Sequence, residues 1–381
     1  MIENELNAID AHVKSRLTEI KAAQENGKKI VGYMAGGFFP EELALACGAI
    51  PIGMVRGGDQ AAVEASGAYV CRWVDAFYRG HIGYMTNKDD PYYSIMDLYV
   101  VPITDTHCRG IVDIASVYTD INLFQYGVPR KKGPNGLTHF KLGLSQLKDK
   151  LEELTGNKIT DENLKKAIDL CNRERELFKE ISLMRKADEF IISFRDYMML
   201  HHSAALADKE FMVAELEKIV SELKQQPHEK MKGPRILLTA SILAYGDSKI
   251  ITLLEEAGAN IVIEDVGLGT VPYWHNVSTE GNLMDNLANT YFTKRIFPAW
   301  GRPGRERLDF ICQLAKDFNV DGVVWYHLLL QEGSKMQTFY FPEILKEATG
   351  LNMLLLESDY GTFETAPLRT RIESYIHSIR R

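Results

Sequence analysis

The sequence predicts an α/β protein of two Rossmann-like lobes with parallel sheets, joined by a helical insert and facing each other across a cleft. Three observations lead to that class. A strand, glycine loop, helix, strand unit stands near the N-terminus, and the same grammar returns after residue 233. Between them, residues 140–232 are charged, nearly free of glycine, and carry an apolar residue every three to four positions. Short apolar runs separated by helices belong to parallel sheets, because parallel strands need a crossover connection.

The elements follow in order. Residues 3–26 form a helix, with Ile9, Val13, Leu17 and Ile20 at helical spacing. Lys29–Tyr33 is a strand, and the loop from Met34 to Pro40 leads into a helix whose first turn holds Glu41 and Glu42, acids that complement its dipole. Ile50–Val55 is the next strand. A second unit runs from the strand Leu98–Pro102 through the loop 103–109 to a helix near Ile111–Tyr118 and a strand at Ile121–Tyr126. In the insert, Leu147, Leu151, Leu154, Leu164, Ile168, Leu177 and Ile181 keep helical spacing, and Thr160 is placed to cap a helix starting Asp161-Glu162. The second lobe supplies the strands Arg235–Leu238, Asn260–Ile263, Gly322–Trp325 and Met353–Leu356, a loop from His327 to Gln337, and a last helix, Leu368–Ile379. The expected division is therefore 1–139, 140–232 and 233–381. In open α/β sheets ligands sit beyond the carboxyl ends of the strands, which directs attention to the loops 34–40, 103–109, 239–248, 264–272, 327–337 and 357–361.

Composition narrows the function. Among 381 residues, 45% are hydrophobic and 25% charged, an ordinary globular balance. With 44 basic against 52 acidic residues, net −8, and no long basic block, nucleic acid is not the expected partner. No apolar run approaches the roughly 18–20 residues that span a bilayer, and the polar, helical start is neither a signal peptide nor an anchor. Five widely spaced cysteines, Cys47, Cys71, Cys108, Cys171 and Cys312, argue against a disulfide framework. A cytoplasmic protein is expected.

The residues that can carry chemistry are few. Gly36-Gly37 lets backbone amides approach an anion or carbonyl oxygen, or simply makes a tight turn; neither G-x-G-x-x-G nor a P-loop is present. Thr104-Asp105-Thr106-His107-Cys108-Arg109 gathers hydroxyls, a carboxylate, an imidazole, a thiol and a guanidinium on one strand-end loop. A helix N-terminus there lowers a thiol pKa and favours thiolate. The alternative reading makes Asp105 and Thr106 caps and Cys108 a small buried hydrophobe. There is no G-x-S-x-G, His-x-x-x-His or C-x-x-C, so a hydrolase triad or zinc site has no positive support. Cys71 and Cys47 read as core taken alone, as do Cys171 and Cys312; His201-His202 reads as a solvated face or a packing detail.

The succession FFPEELALACGAIPIGM, GAYVCRW and VVPITDTHCRG resembles the N-terminal lobe of the 2-hydroxyacyl-CoA dehydratase and benzoyl-CoA reductase family. LEELTGNKITDENLKKAIDLCNRERELF is similar to its linker helices, and DGVVWYHLLLQ, LLLESDYG and RTRIESYI to its C-terminal lobe. The resemblance implies a two-subunit, oxygen-sensitive enzyme of anaerobic metabolism. A cysteine-held iron–sulfur cluster of the 4Fe-4S type lies between its lobes, and a separate ATP-hydrolysing activator protein delivers single electrons. The substrate is a CoA thioester, reduced at its carbonyl to a ketyl radical, and the reaction is that of a dehydratase (a lyase) or a related reductase. Position by position, Cys71 matches the first family cysteine, Thr104 stands at the second, and Glu332 to Ser334 stands near the third.

Three readings follow. A cluster persists on Cys71, Cys108 and an oxygen ligand such as Glu332; or the chain is a cluster-free partner subunit; or it is a non-enzymatic module binding a ligand in the same cleft. In each, Gly36, Gly37, Thr104 and His107 are the expected substrate contacts. The chain is expected to pair with itself or a second dehydratase-like subunit, with Tyr92-Tyr93-Ser94-Ile95-Met96 and Phe339-Tyr340-Phe341-Pro342 as candidate contacts or ordinary core.

Overall fold

The computed structural model of the chain describes residues 2–240 and 242–379. It contains two four-stranded, wholly parallel sheets. The first is built from β1 (Ile30–Met34), β2 (Ile50–Met54), β3 (Leu98–Ile103) and β4 (Leu123–Gly127), in the order β2-β1-β3-β4. The second is built from β5 (Arg235–Ala240), β6 (Asn260–Asp265), β7 (Gly322–Leu328) and β8 (Met353–Ser358), in the order β6-β5-β7-β8. The two orders are the same, so the repeated grammar is a repeated topology. In each sheet the order reverses between the first and third strands, which opens a crevice at their carboxyl ends.

The strands lie where their apolar runs predict, with two informative differences. β7 runs on to Leu328 with all seven residues buried, so His327 belongs to the strand and not to the loop. Beyond it, Glu332–Gln337 forms a short helix. Four long helices, Pro134–Thr155, Asp161–Met184, Phe194–Ala204 and Lys209–Gln225, bridge the lobes. Thr160 caps the second of them, accepting from the Asn163 backbone N–H at 3.2 Å.

His201 and His202, read as a solvated face or a packing detail, are both buried. His201 stacks on Phe178 with ring centroids 4.0 Å apart, and His202 Nε2 donates to Leu243 O at 2.8 Å. The helix carrying them is covered on both sides, so neighbouring positions that face different ways still meet protein. Of the two aromatic stretches, Tyr93 and Ile95 are core of this chain, whereas Phe339 is 78% exposed beside a fully buried Phe341.

The lobes are joined by backbone at opposite edges of the first sheet. Past β2, Tyr245 N–H donates to Val55 O and Gly57 N–H to Tyr245 O, both at 2.8 Å. Past β4, Arg302 N–H donates to Arg130 O at 2.6 Å and Lys132 N–H to Arg302 O at 3.0 Å. Among the described residues, no helix is long and apolar enough to cross a membrane.

Candidate functional site

The carboxyl ends of β1 and β3 face the loops after β5, β6 and β7 across a cavity of about 370 Å³. Its first-lobe wall includes Gly36, Asp75, Thr104, His107 and Cys108; its second-lobe wall includes Trp300, Arg302, Glu332 and Ser334. The site begins with two helix caps. Asp75 precedes the helix Ala76–Asn87, and its Oδ1 accepts from the Tyr78 N–H at 3.2 Å. Asp105 precedes the helix Thr106–Tyr118, and its Oδ1 accepts from the Cys108 N–H at 2.9 Å. Short polar side chains at these positions satisfy amides that a helix leaves unpaired.

The caps bring two helix starts together. Asp75 Oδ2 lies 3.1 Å from His107 Nδ1, which orients the imidazole and leaves Nε2 as the nitrogen that can meet a ligand. The bond to Asp75 holds the His107 pKa above the ordinary 6.5 against the opposing effect of burial, while burial pushes the Asp75 carboxyl up. The pair therefore retains a proton that an isolated imidazole gives up. Thr104 Oγ1 donates to Asp105 Oδ2 at 2.9 Å, and the Tyr78 hydroxyl donates to the same oxygen at 3.3 Å. At the rim, Arg130 is exposed and lines the cavity.

Cys108 corrects an expectation. It does open a helix, but it is 1% exposed, its thiol donates to Pro102 O at 3.3 Å, and burial pushes its pKa up to about 12. Desolvation of a thiolate outweighs the helix dipole here. Cys71 is the reverse: it is exposed and is not among the residues lining the cavity. Glu332 and Ser334 line the wall across from Thr104. Among the described residues, no three His, Cys, Asp or Glu side chains are grouped to hold a metal ion, so Cys71, Cys108 and Glu332 do not form a ready ligand set. A 4Fe-4S cluster needs converging thiolates. With one thiol outside the cavity lining, one buried and protonated, and a carboxylate and hydroxyls elsewhere, the donors present do not fit that group.

Gly36 (φ +138°) lines this cavity, whereas Gly37 (φ +84°) lines a second one behind it. Sequence reasoning missed Asp75, Tyr78, Arg130 and Arg302. An N-cap pattern at Asp75-Ala76 was there to be read, but nothing in it points 32 residues ahead to His107.

Two parallel α/β lobes that share a cavity at their strand ends define a protein of the doubly wound class. More narrowly, the chain belongs to the family described as 2-hydroxyglutaryl-CoA dehydratase, D-component, which it matches over residues 37–379. It is similar to YjiM of Escherichia coli (strain K12), named as a dehydratase subunit, at 24% identity, with 93% of each chain covered. It is similar at 24% identity to the (R)-phenyllactyl-CoA dehydratase beta subunit of Clostridium sporogenes, with 94% of each chain covered. One of the benzoyl-CoA reductase subunits of Thauera aromatica is 23% identical over 71% of this chain and 70% of its own length.

Proposed function

We propose that this chain is the cluster-free subunit of a dehydratase or reductase that acts on a CoA thioester, and that its cleft binds the acyl thioester and manages protons there. The observation that carries the reading is the donor set: Thr104, Glu332 and Ser334 stand where the family resemblance calls for thiolates, around an oriented Asp75–His107 pair. Electron transfer then belongs to a sister subunit served by the ATP-hydrolysing activator.

Each part of the cleft has its own task. Arg130 and Arg302 at the rim meet the anionic phosphates of CoA. The acyl end lies against Met34, Phe38 and Trp300, which exclude water from it. In a dehydration, the bond from the 2-carbon to its hydroxyl breaks and a proton leaves the neighbouring carbon. His107, its pKa raised by Asp75, gives its proton from Nε2 to the departing oxygen, so that water leaves in place of hydroxide, and the freed Nε2 takes up the proton that leaves the neighbouring carbon. Thr104 positions the substrate oxygen from the same loop.

Anaerobic purification of the chain alone, and of the chain with its sister subunit, tests the proposal. The expected result is negligible iron and acid-labile sulfide in the isolated chain, and both in the complex. Stoichiometric iron and sulfide in the isolated chain, lost on Cys71→Ser, would overturn it.

A further inference from the structure

Behind Ala35 and Gly36, which also line the cleft, lies a second chamber of about 100 Å³. Its walls come from the first lobe (Tyr33, Gly37), the bridging helices (Glu174, His201) and the second lobe (Tyr291, Arg295). Most of the charges around it are paired. Arg175 Nη2 lies 2.5 Å from Glu42 Oε1, and Lys209 Nζ bridges Glu41 and Glu174 at 2.7 and 2.8 Å.

Three polar atoms are not. Arg295 is 3% exposed and stacks over Tyr291 at 4.3 Å, yet its Nη1 has no hydrogen-bond partner among the described residues. Glu174 Oε1 and His201 Nε2 are equally buried and equally unpartnered. An unpaired buried guanidinium is costly and calls for an acceptor. Gly37 keeps that atom accessible: a Cβ there would stand 2.8 Å from Arg295 Nη1. Gly37 thus serves an arginine side chain, where the sequence alone points to backbone amides.

The geometry points to a binding site for a small monocarboxylate in this chamber, one oxygen accepting from Arg295 Nη1 and the other from His201 Nε2. The charge arithmetic favours a monoanion. Arg175 is paired with Glu42, and Lys209 with Glu41 and Glu174, which leaves the single charge of Arg295 unmet by any carboxylate among the described residues. A tetrahedral dianion would overshoot that charge and need more donors than these two nitrogens offer. Room is limited to several waters or one group of acetate size. This assignment is independent of the thioester reading of the cleft.

The test uses the whole chain and sodium acetate, against sodium chloride at equal ionic strength. Acetate is expected to raise the melting temperature in a saturable way, because a ligand that binds only the folded state stabilises it by mass action. Chloride is expected to give no such rise. Arg295→Gln is expected to weaken the response at least about tenfold, the worth of a charge-assisted hydrogen bond, and Arg295→Lys to retain part of it. Should Arg295→Gln fail to fold, line broadening of ¹³C-acetate on the unaltered protein, relieved by formate and not by chloride, reads the same site. No saturable response beyond chloride would mean that water alone fills the chamber and would overturn the inference. An undiminished response in folded Arg295→Gln would overturn it as well.

Discussion

Glu42 Oε1 and Arg175 Nη2 lie 2.5 Å apart with both side chains buried, and the Tyr291 hydroxyl donates to the other oxygen of Glu42 at 2.8 Å. The three residues come from the first lobe, the bridging helices and the second lobe, so one ion pair holds three separate stretches of chain. Arg175→Met strands the Glu42 carboxylate in the interior. The expected loss is about 3–5 kcal/mol, the usual cost of breaking a buried pair by removing one partner. Urea unfolding of Arg175→Met and of Arg175→Met with Glu42→Gln checks it, and the double variant should recover much of the loss.

The Asp75–His107 pair makes stability depend on pH with a definite sign. Because the His107 pKa is raised in the folded chain, its contribution is fully present below pH 6.5 and is lost as pH rises through the folded value. Asp75→Asn should return His107 toward or below 6.5, as read by NMR titration of the ring. A His107 titration below 6.5 in the unaltered protein would refute the pairing.

In the assembled enzyme, His107→Gln should lower kcat by about 10²–10⁴, the range for loss of a positioned acid. KM for the thioester should change far less, since Arg130 and Arg302 remain at the rim. A rise in KM without a fall in kcat would make His107 a contact and not a proton donor.

Thiol chemistry should single out one cysteine. Cys47, Cys108, Cys171 and Cys312 are buried, and Cys71 is exposed. Brief alkylation of the native protein followed by mass spectrometry should modify Cys71 in preference to the others, and Cys71→Ser should abolish the fast phase. Fast labelling of Cys108 would contradict its high pKa and its burial.

At Gly58 the two lobes approach closely. Its φ is +73°, and a Cβ there would stand 2.3 Å from the Gly246 carbonyl carbon. Gly58→Ala should therefore destabilise by about 2–4 kcal/mol, combining left-handed backbone strain with a backbone clash. Thermal unfolding against a nearby control, Gly67→Ala, whose added Cβ meets nothing within 4 Å, isolates the effect.

All eight strands were legible in the sequence as short apolar runs, the mark of strands buried on both faces, although the edge strands β4 and β8 are only partly buried. β4 begins at Leu123, two residues later than the run at Ile121 implies, since an apolar residue covering a sheet edge looks like one inside it. The cleft was legible as a set of strand-end loops. Its chemistry was less so. A helix dipole is written in the local sequence around Cys108, but the burial that overrides it comes from tertiary packing. The partnership of Asp75 with His107 likewise exists only once two helix starts are brought side by side.

The backbone links at Val55–Gly57 with Tyr245, and at Arg130–Lys132 with Arg302, pin the lobes at both edges of the first sheet. A pair of jaws fixed at one end can swing; a frame fixed at both ends cannot. The space between the lobes is thus a slot of set width, entered from its open side. Guests that reach it should dock in a single kinetic step, with selectivity set by the shape of a rigid mould and not by closure around them.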